Sequence, residues 1–194
     1  MPPKIKVTRE DIIKAAVHMV REKGFESLNA RDLAKEIGCS VHPLFRTFNS
    51  MEGLKTELYK EVEHIYNERM QRAVENPEEG FVSVGLAYID FAKNEKNLFK
   101  LLFMSDAFQG QSLMDIVGMT EGDDEVIDML CQMTELSAKS AHELYAGIWL
   151  VTHGIASMYA TNNCRFSDEE IRRLLGNSFI GLILKLKNEE KENR

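Results

Sequence analysis

Past Pro77 the chain contains no proline, and nowhere does it alternate apolar with polar residues as a half-buried strand would. Apolar residues recur three and four apart instead, from Ile12 to Leu186. A proline inside a helix removes a hydrogen bond and clashes with the preceding turn, so a long proline-free run with this spacing is free to be helical throughout. The expected fold is all-α.

Caps and turns divide the run. Thr8-Arg9-Glu10-Asp11 reads as a capping signal for a first helix carrying Ile12, Ile13, Ala16, Val17 and Val20. Gly24 is expected to end it in a left-handed C-cap. Asn29 caps a second helix with Leu33, Ala34 and Ile37, and Gly38 ends that one. Ser40 caps a short third helix. Asn49-Ser50 starts a long fourth, with Leu54, Leu58, Val62 and Ile65 on one face, and Asn76-Pro77 stops it. Further helical segments cover 81–93, 97–104, 111–119, 123–136 and 138–162. Ser167-Asp168-Glu169-Glu170 opens a last helix through Leu186, and the charged tail from Asn188 is expected to fray. About nine helices result. They form a three-helix head over 1–53 and a larger helical domain over 54–194.

With 44% hydrophobic and 28% charged residues the chain reads as globular. The net charge of −7 argues against nucleic-acid binding until its distribution is considered. Residues 1–60 hold 11 Lys/Arg against 8 Asp/Glu, about +3, and the remainder 13 against 23, about −10. A mildly basic head thus precedes an acidic body, as a nucleic-acid module would require. Cys39, Cys131 and Cys164 show neither disulfide nor zinc-site spacing, and no leader pattern or membrane-length apolar run is present. A reducing cytoplasm is the expected setting, without membrane contact and without a cofactor or metal.

The head carries the clearest chemistry. In "GCSVHPLFRTF", Gly38 supplies a tight turn and Val41, Leu44 and Phe48 follow at inward-facing helical spacing, the pattern of a helix-turn-helix. At about 100° per residue His42, Pro43 and Arg46 fall on the opposite face, with Thr47 beside them. Arg can bind guanine bidentately, His can bond a base or a phosphate, and Pro or Thr can pack on a thymine methyl. With Ser40 as N-cap, Pro43 takes the third helical position, where its missing N–H has no intrahelical partner to lose. Ser40 must then cap the amide of His42.

The stretch "VTREDIIKAAVHMVREKGFESLNARDLAKEIGCSVHPLFRTFNSMEGL" resembles the DNA-binding domain of the TetR family of bacterial transcriptional regulators. The likeness runs through Ala15-Ala16, Lys23-Gly24-Phe25, Arg31-Asp32-Leu33-Ala34, Gly38-Cys39-Ser40, Leu44-Phe45, Phe48 and Glu52-Gly53-Leu54. It implies a homodimeric regulator, a repressor, whose two recognition helices enter successive major grooves of a near-palindromic duplex. A small-molecule effector would release it. The candidates for DNA contact are Lys6, Arg9, Asn29, Arg31, Ser40, Val41, His42, Pro43, Phe45, Arg46, Thr47 and Lys55. Three positions depart from the family. Phe45 stands where a Tyr usually reaches a phosphate, Thr47 where His is frequent, and Met51 where Lys is frequent, which shifts the grip toward Lys4, Lys6, Arg9, Arg31 and Arg46.

In the body, Trp149-Leu150-Val151-Thr152-His153-Gly154 lies within a segment similar to the Trp-His-Gly signature of one C-terminal domain type of that family. His153 reads either as a buried, hydrogen-bonded structural residue or as a ligand contact. Candidate effector-pocket residues are Tyr88, Phe91, Phe99, Phe103, Met104, Met114, Met133, Tyr145, Trp149 and His153. Methionine-rich walls suit an apolar or aromatic molecule. The resemblance implies a four-helix dimer interface from the last two helices, to which Leu174, Ser178, Phe179, Leu182, Ile183 and Leu186 would contribute. Packing within one chain is a competing use for the same residues. No nucleophile, metal cluster or phosphate loop supports an enzyme. The alternative is a helical interaction or ligand-binding protein whose head has weakened DNA binding.

Overall fold

The computed structural model describes residues 7–75, 81–105, 123–162 and 164–192. Nine α-helices lie among them and no strand. The helix expected over 111–119 and the stop at Asn76-Pro77 fall outside the described residues, as do Lys4, Lys6 and Met114. The chain forms two compact units. One combines Met1–Arg72 with Asn94–Ala107, the other Ala73–Lys93 with Phe108–Arg194.

The first unit opens with α1 (Arg9–Lys23), whose N-terminus is a complete capping box: Asp11 N donates to Thr8 Oγ1 at 3.1 Å, and Thr8 N donates to Asp11 Oδ2 at 2.9 Å. Gly24 ends the helix by donating to Val20 O at 2.8 Å. Its φ of 83° is positive as expected, but its ψ of 161° is extended rather than left-handed helical. The chain therefore leaves α1 sharply into the 3₁₀ turn Phe25–Ser27. α2 (Ala30–Ile37) is capped by Asn29, whose Oδ1 accepts from Asp32 N, and closed by Gly38 in the left-handed conformation. α3 (His42–Phe48) follows. α4 (Met51–Val74) buries Leu54, Leu58, Val62 and Tyr66, which stand along a four-residue ridge, and Ile65 is only half-buried.

The unit around the head extends beyond residue 53: it takes in α4 as far as Arg72 and α6 (Lys96–Phe103), which packs on α1. Asn97 Nδ2 donates to Arg21 O at 2.8 Å, satisfying a carbonyl in the last turn of α1, and Arg21 pairs with Glu95 at 2.7 Å. Ile12, Ala16, Val20, Leu33, Leu44, Leu58, Leu98 and Phe99 are buried in this unit.

The second unit contains α5 (Phe81–Asn94), α7 (Asp123–Thr134), α8 (Ala138–Thr161) and α9 (Asp168–Glu192). Leu130, Leu136, Ala141, Leu144, Ile148 and Leu186 form an apolar cluster in it. Ser137 caps α8 through Ser140 N, and Ser167 with Glu170 forms the expected capping box of α9. α9 does not fray from Asn188 but continues to Glu192. Lys185 pairs with Glu189 at 2.6 Å near that end, Lys187 with Glu135 at 3.8 Å, and Ser137 N donates to Glu190 Oε1 at 2.9 Å.

Candidate functional site

α3 is held by two residues. Leu44 and Phe48 are buried, which turns the opposite side of the helix to solvent. His42, Phe45 and Arg46 are exposed there, with Pro43 and Thr47 half-buried on the flanks. Two expectations change at the start of the helix. Val41, not Ser40, is the N-cap; its φ of −67° and ψ of −17° are already helical, and no side chain caps the helix. Pro43 is consequently at the second helical position and still costs no intrahelical bond. Val41 is exposed rather than inward-facing. The Ser40 hydroxyl is exposed and makes no hydrogen bond among the described residues.

The other DNA candidates divide by what already occupies them. Asn29 is committed to its cap: Nδ2 donates to Ser27 O at 3.1 Å and to Asp32 Oδ2 at 2.6 Å. Arg9 pairs with Glu57 and lies 5.7 Å from the centre of the Phe48 ring. Lys55 pairs with Glu52 at 3.1 Å and lies 5.5 Å from the centre of the Phe25 ring. Arg31, His42 and Arg46 have no acidic partner among the described residues. An exposed guanidinium or imidazole without such a partner can meet a phosphate or a base edge.

The effector-pocket candidates fall into both units. Phe99 and Phe103 belong to the first, where Phe103 packs edge-on against Tyr66 with ring centres 5.0 Å apart. Met104 is exposed at the end of α6. In the second unit Phe91 is fully buried, Tyr145 packs against the α7–α8–α9 cluster and Met133 is exposed. Tyr88, Trp149 and His153 come together. The Tyr88 hydroxyl and His153 Nδ1 share a hydrogen bond of 2.9 Å, and the His153 ring stacks on Trp149 at 4.7 Å and 9°.

Burial pushes the His153 imidazole below its ordinary value of 6.5. Unfolded His153 then takes up a proton first as the pH falls through about 6.5, so the second unit loses stability on acidification. Trp149 is the chain's one tryptophan, and an imidazolium stacked on it quenches its emission. A fluorescence titration is expected to show a midpoint below 6.5 that is absent in His153→Gln. A midpoint at or above that value contradicts the assignment.

None of the nine candidates among the described residues lines an open groove of about 310 Å³ in the second unit. Its floor is Leu86, Ile89, Tyr159 and Ile171, and its rim carries Asp90, Lys93, Asp168 and Arg172. Sequence reasoning missed it because its apolar residues read as core, its charged ones as surface, and α5 and α9 are far apart in the chain. No group of three or more His, Cys, Asp or Glu among the described residues is placed to hold a metal ion.

The apolar face of α9 is used in part within the chain. Leu186 is buried, and Phe179, Leu182 and Ile183 pack on the intrachain cluster. Ser178 is half-buried and Leu174 exposed. The exposed apolar residues are Leu174, Ile180 and Leu184 on α9, with Leu150 and Met158 on α8. Gly154 and Gly181 stand in the same two stripes with open space around them.

Residues 12–58 match the family model described as bacterial regulatory proteins, tetR family. The chain is also similar to an uncharacterized HTH-type transcriptional regulator of Haemophilus influenzae, 28% identical over 109 residues. That similarity covers 54% of this chain and 53% of the relative, so the chain spans about half the length of the curated relative it matches.

Proposed function

We propose that this chain, a DNA-binding transcriptional regulator of the TetR family, acts as a homodimeric repressor released from its operator by a small molecule. The observation that carries the reading is the outward face of α3: Arg46 and His42 are exposed, have no acidic partner among the described residues and are mounted on a helix fixed from behind by Leu44 and Phe48. Such a helix fits the major groove, and Arg46 fits the bidentate pattern of a guanine. Pairing of α8 and α9 with those of a second copy would use the exposed stripes and place two heads on a near-palindromic site. No described helix is long and apolar enough to cross a membrane.

An effector in the second unit would act by binding one spacing of the two heads better than the other. The aromatic group of Tyr88, Trp149 and His153 supports an aromatic or apolar effector, and the rim of the groove on α5 and α9 supports one with a charged end. Arg46→Ala is expected to weaken specific binding by about 1–3 kcal/mol and to relax the preference at one base pair of each half-site. A gel-shift titration of wild type and variant against DNA from the chain's own upstream region measures both. Equal operator preference in the variant removes Arg46 from base reading.

A second reading, an interaction protein with a weakened head, draws on Arg9 and Lys55, which are already paired within the unit, and on Phe45, which has no hydroxyl for a phosphate. Salt dependence separates the two. A DNA-reading head loses affinity steeply with salt because each neutralised phosphate releases counterions. Binding at only the non-specific level in moderate salt favours the second reading.

A further inference from the structure

Within residues 7–72, two large apolar side chains are exposed: Val41 at 37% and Phe45 at 41%. Both are on or at the start of α3 and stand four residues apart. Val41 is already helical in its backbone, so this spacing puts the two side chains one above the other on a single ridge. The ridge borders His42 and Arg46. It is not spare core, because Leu44 and Phe48 already fill the space behind α3. Two side chains are also too small a surface for a stable protein interface.

The ridge therefore adds an apolar element to the face that meets DNA. Neither side chain can bond a phosphate oxygen or the polar edge of a base. In the major groove the apolar group on offer is the C5 methyl of thymine. We propose that Val41 and Phe45 read thymine methyl groups beside the position bound by Arg46. This rests on the reading above that α3 enters the major groove. The recognition helix would then combine a charged contact that selects guanine with an apolar ridge that selects thymine. The absence of a hydroxyl at position 45 would be a specificity device and not merely a lost phosphate anchor.

The test does not require the operator sequence in advance. The full chain is first used to select binding sites from a randomised duplex library. Each thymine of the selected half-site is then replaced, one at a time, by deoxyuridine, which removes the methyl and leaves every hydrogen-bonding group in place. One or more replacements per half-site are expected to weaken wild-type binding about four-fold, the worth of one buried methyl-sized group. In Val41→Ala or Phe45→Ala the penalty at the matching thymine should disappear. Both positions are exposed, so each variant tests the proposal independently, with helicity measured alongside. Selective binding with no deoxyuridine penalty overturns the proposal and leaves the DNA-reading head intact, as does a penalty undiminished in both variants. Failure to select any sequence overturns the proposal together with the reading beneath it.

Discussion

Gly53→Ala is expected to destabilise the N-terminal unit by about 2–4 kcal/mol and to remove selective DNA binding with it. At an ordinary helical position the same change stabilises by up to about 1 kcal/mol, because alanine is the better helix former. Gly53 lies in the first turn of α4, and its φ is not of the left-handed kind that requires glycine. The obstacle is steric. A Cβ there would overlap the main-chain oxygen of Phe48, the last residue of α3. Main chain has no alternative rotamer, so relief requires α3 to move away from α4. A seven-residue helix cannot hold itself in water and is kept in place by Leu44 and Phe48. Displacing its end therefore disturbs the face that carries His42 and Arg46. Gly38→Ala is the comparison: Gly38 has a φ of 76° but open space around it, so only conformational strain of about 1–2 kcal/mol applies. Urea unfolding of the two variants should rank Gly53→Ala as the more damaging. A stabilised Gly53→Ala would show that α3 and α4 do not approach so closely.

Gly53 also marks where the sequence stops being legible. It stands in the Glu52-Gly53-Leu54 likeness to the TetR family, yet no pattern in the sequence says that it meets a carbonyl five residues earlier. The caps at Thr8, Asn29 and Ser167 are legible because each is settled within four residues by a side chain and an amide it can reach. Ser40 has the same credentials as a cap. The helix nevertheless starts one residue later, behind Val41 and without a side-chain cap, and backbone dihedrals at a tight turn are not written in residue types. The effector candidates suffer from a different ambiguity. Phe91 and Phe99 are apolar at helical spacing whether they line a cavity or fill a core, and both are fully buried. Periodicity likewise shows that α9 is amphipathic but not which neighbour each face meets. The most apolar face, with Phe179, Leu182 and Leu186, goes to the chain's own core.

What that core leaves uncovered leads to the second large effect. Leu184→Glu with Ile180→Glu is expected to convert a dimer into a folded monomer and to lower operator affinity by at least about 100-fold, because one head then binds one half-site alone. Ile180 and Leu184 are 58% and 59% exposed in the single chain, so a glutamate at either place keeps its water and leaves the monomer's packing intact. In a two-fold pairing each substitution occurs twice. Four carboxylates would then be confined to an apolar interface, at a cost of several kcal/mol. Gly154 and Gly181 would allow such an interface to be a close one, since neither carries a side chain to hold a partner's helix away. Leu182→Glu serves as the opposite case. Leu182 reaches the backbone of α8 at Gly147, so a charge there should unfold the second unit instead of separating two copies. Sedimentation equilibrium reads the mass and circular dichroism the helicity. Half the mass with full helicity in the Ile180/Leu184 variant, against lost helicity in Leu182→Glu, locates the pairing on the outer stripes of α8 and α9. A dimer that survives both glutamates must be held together by some other surface.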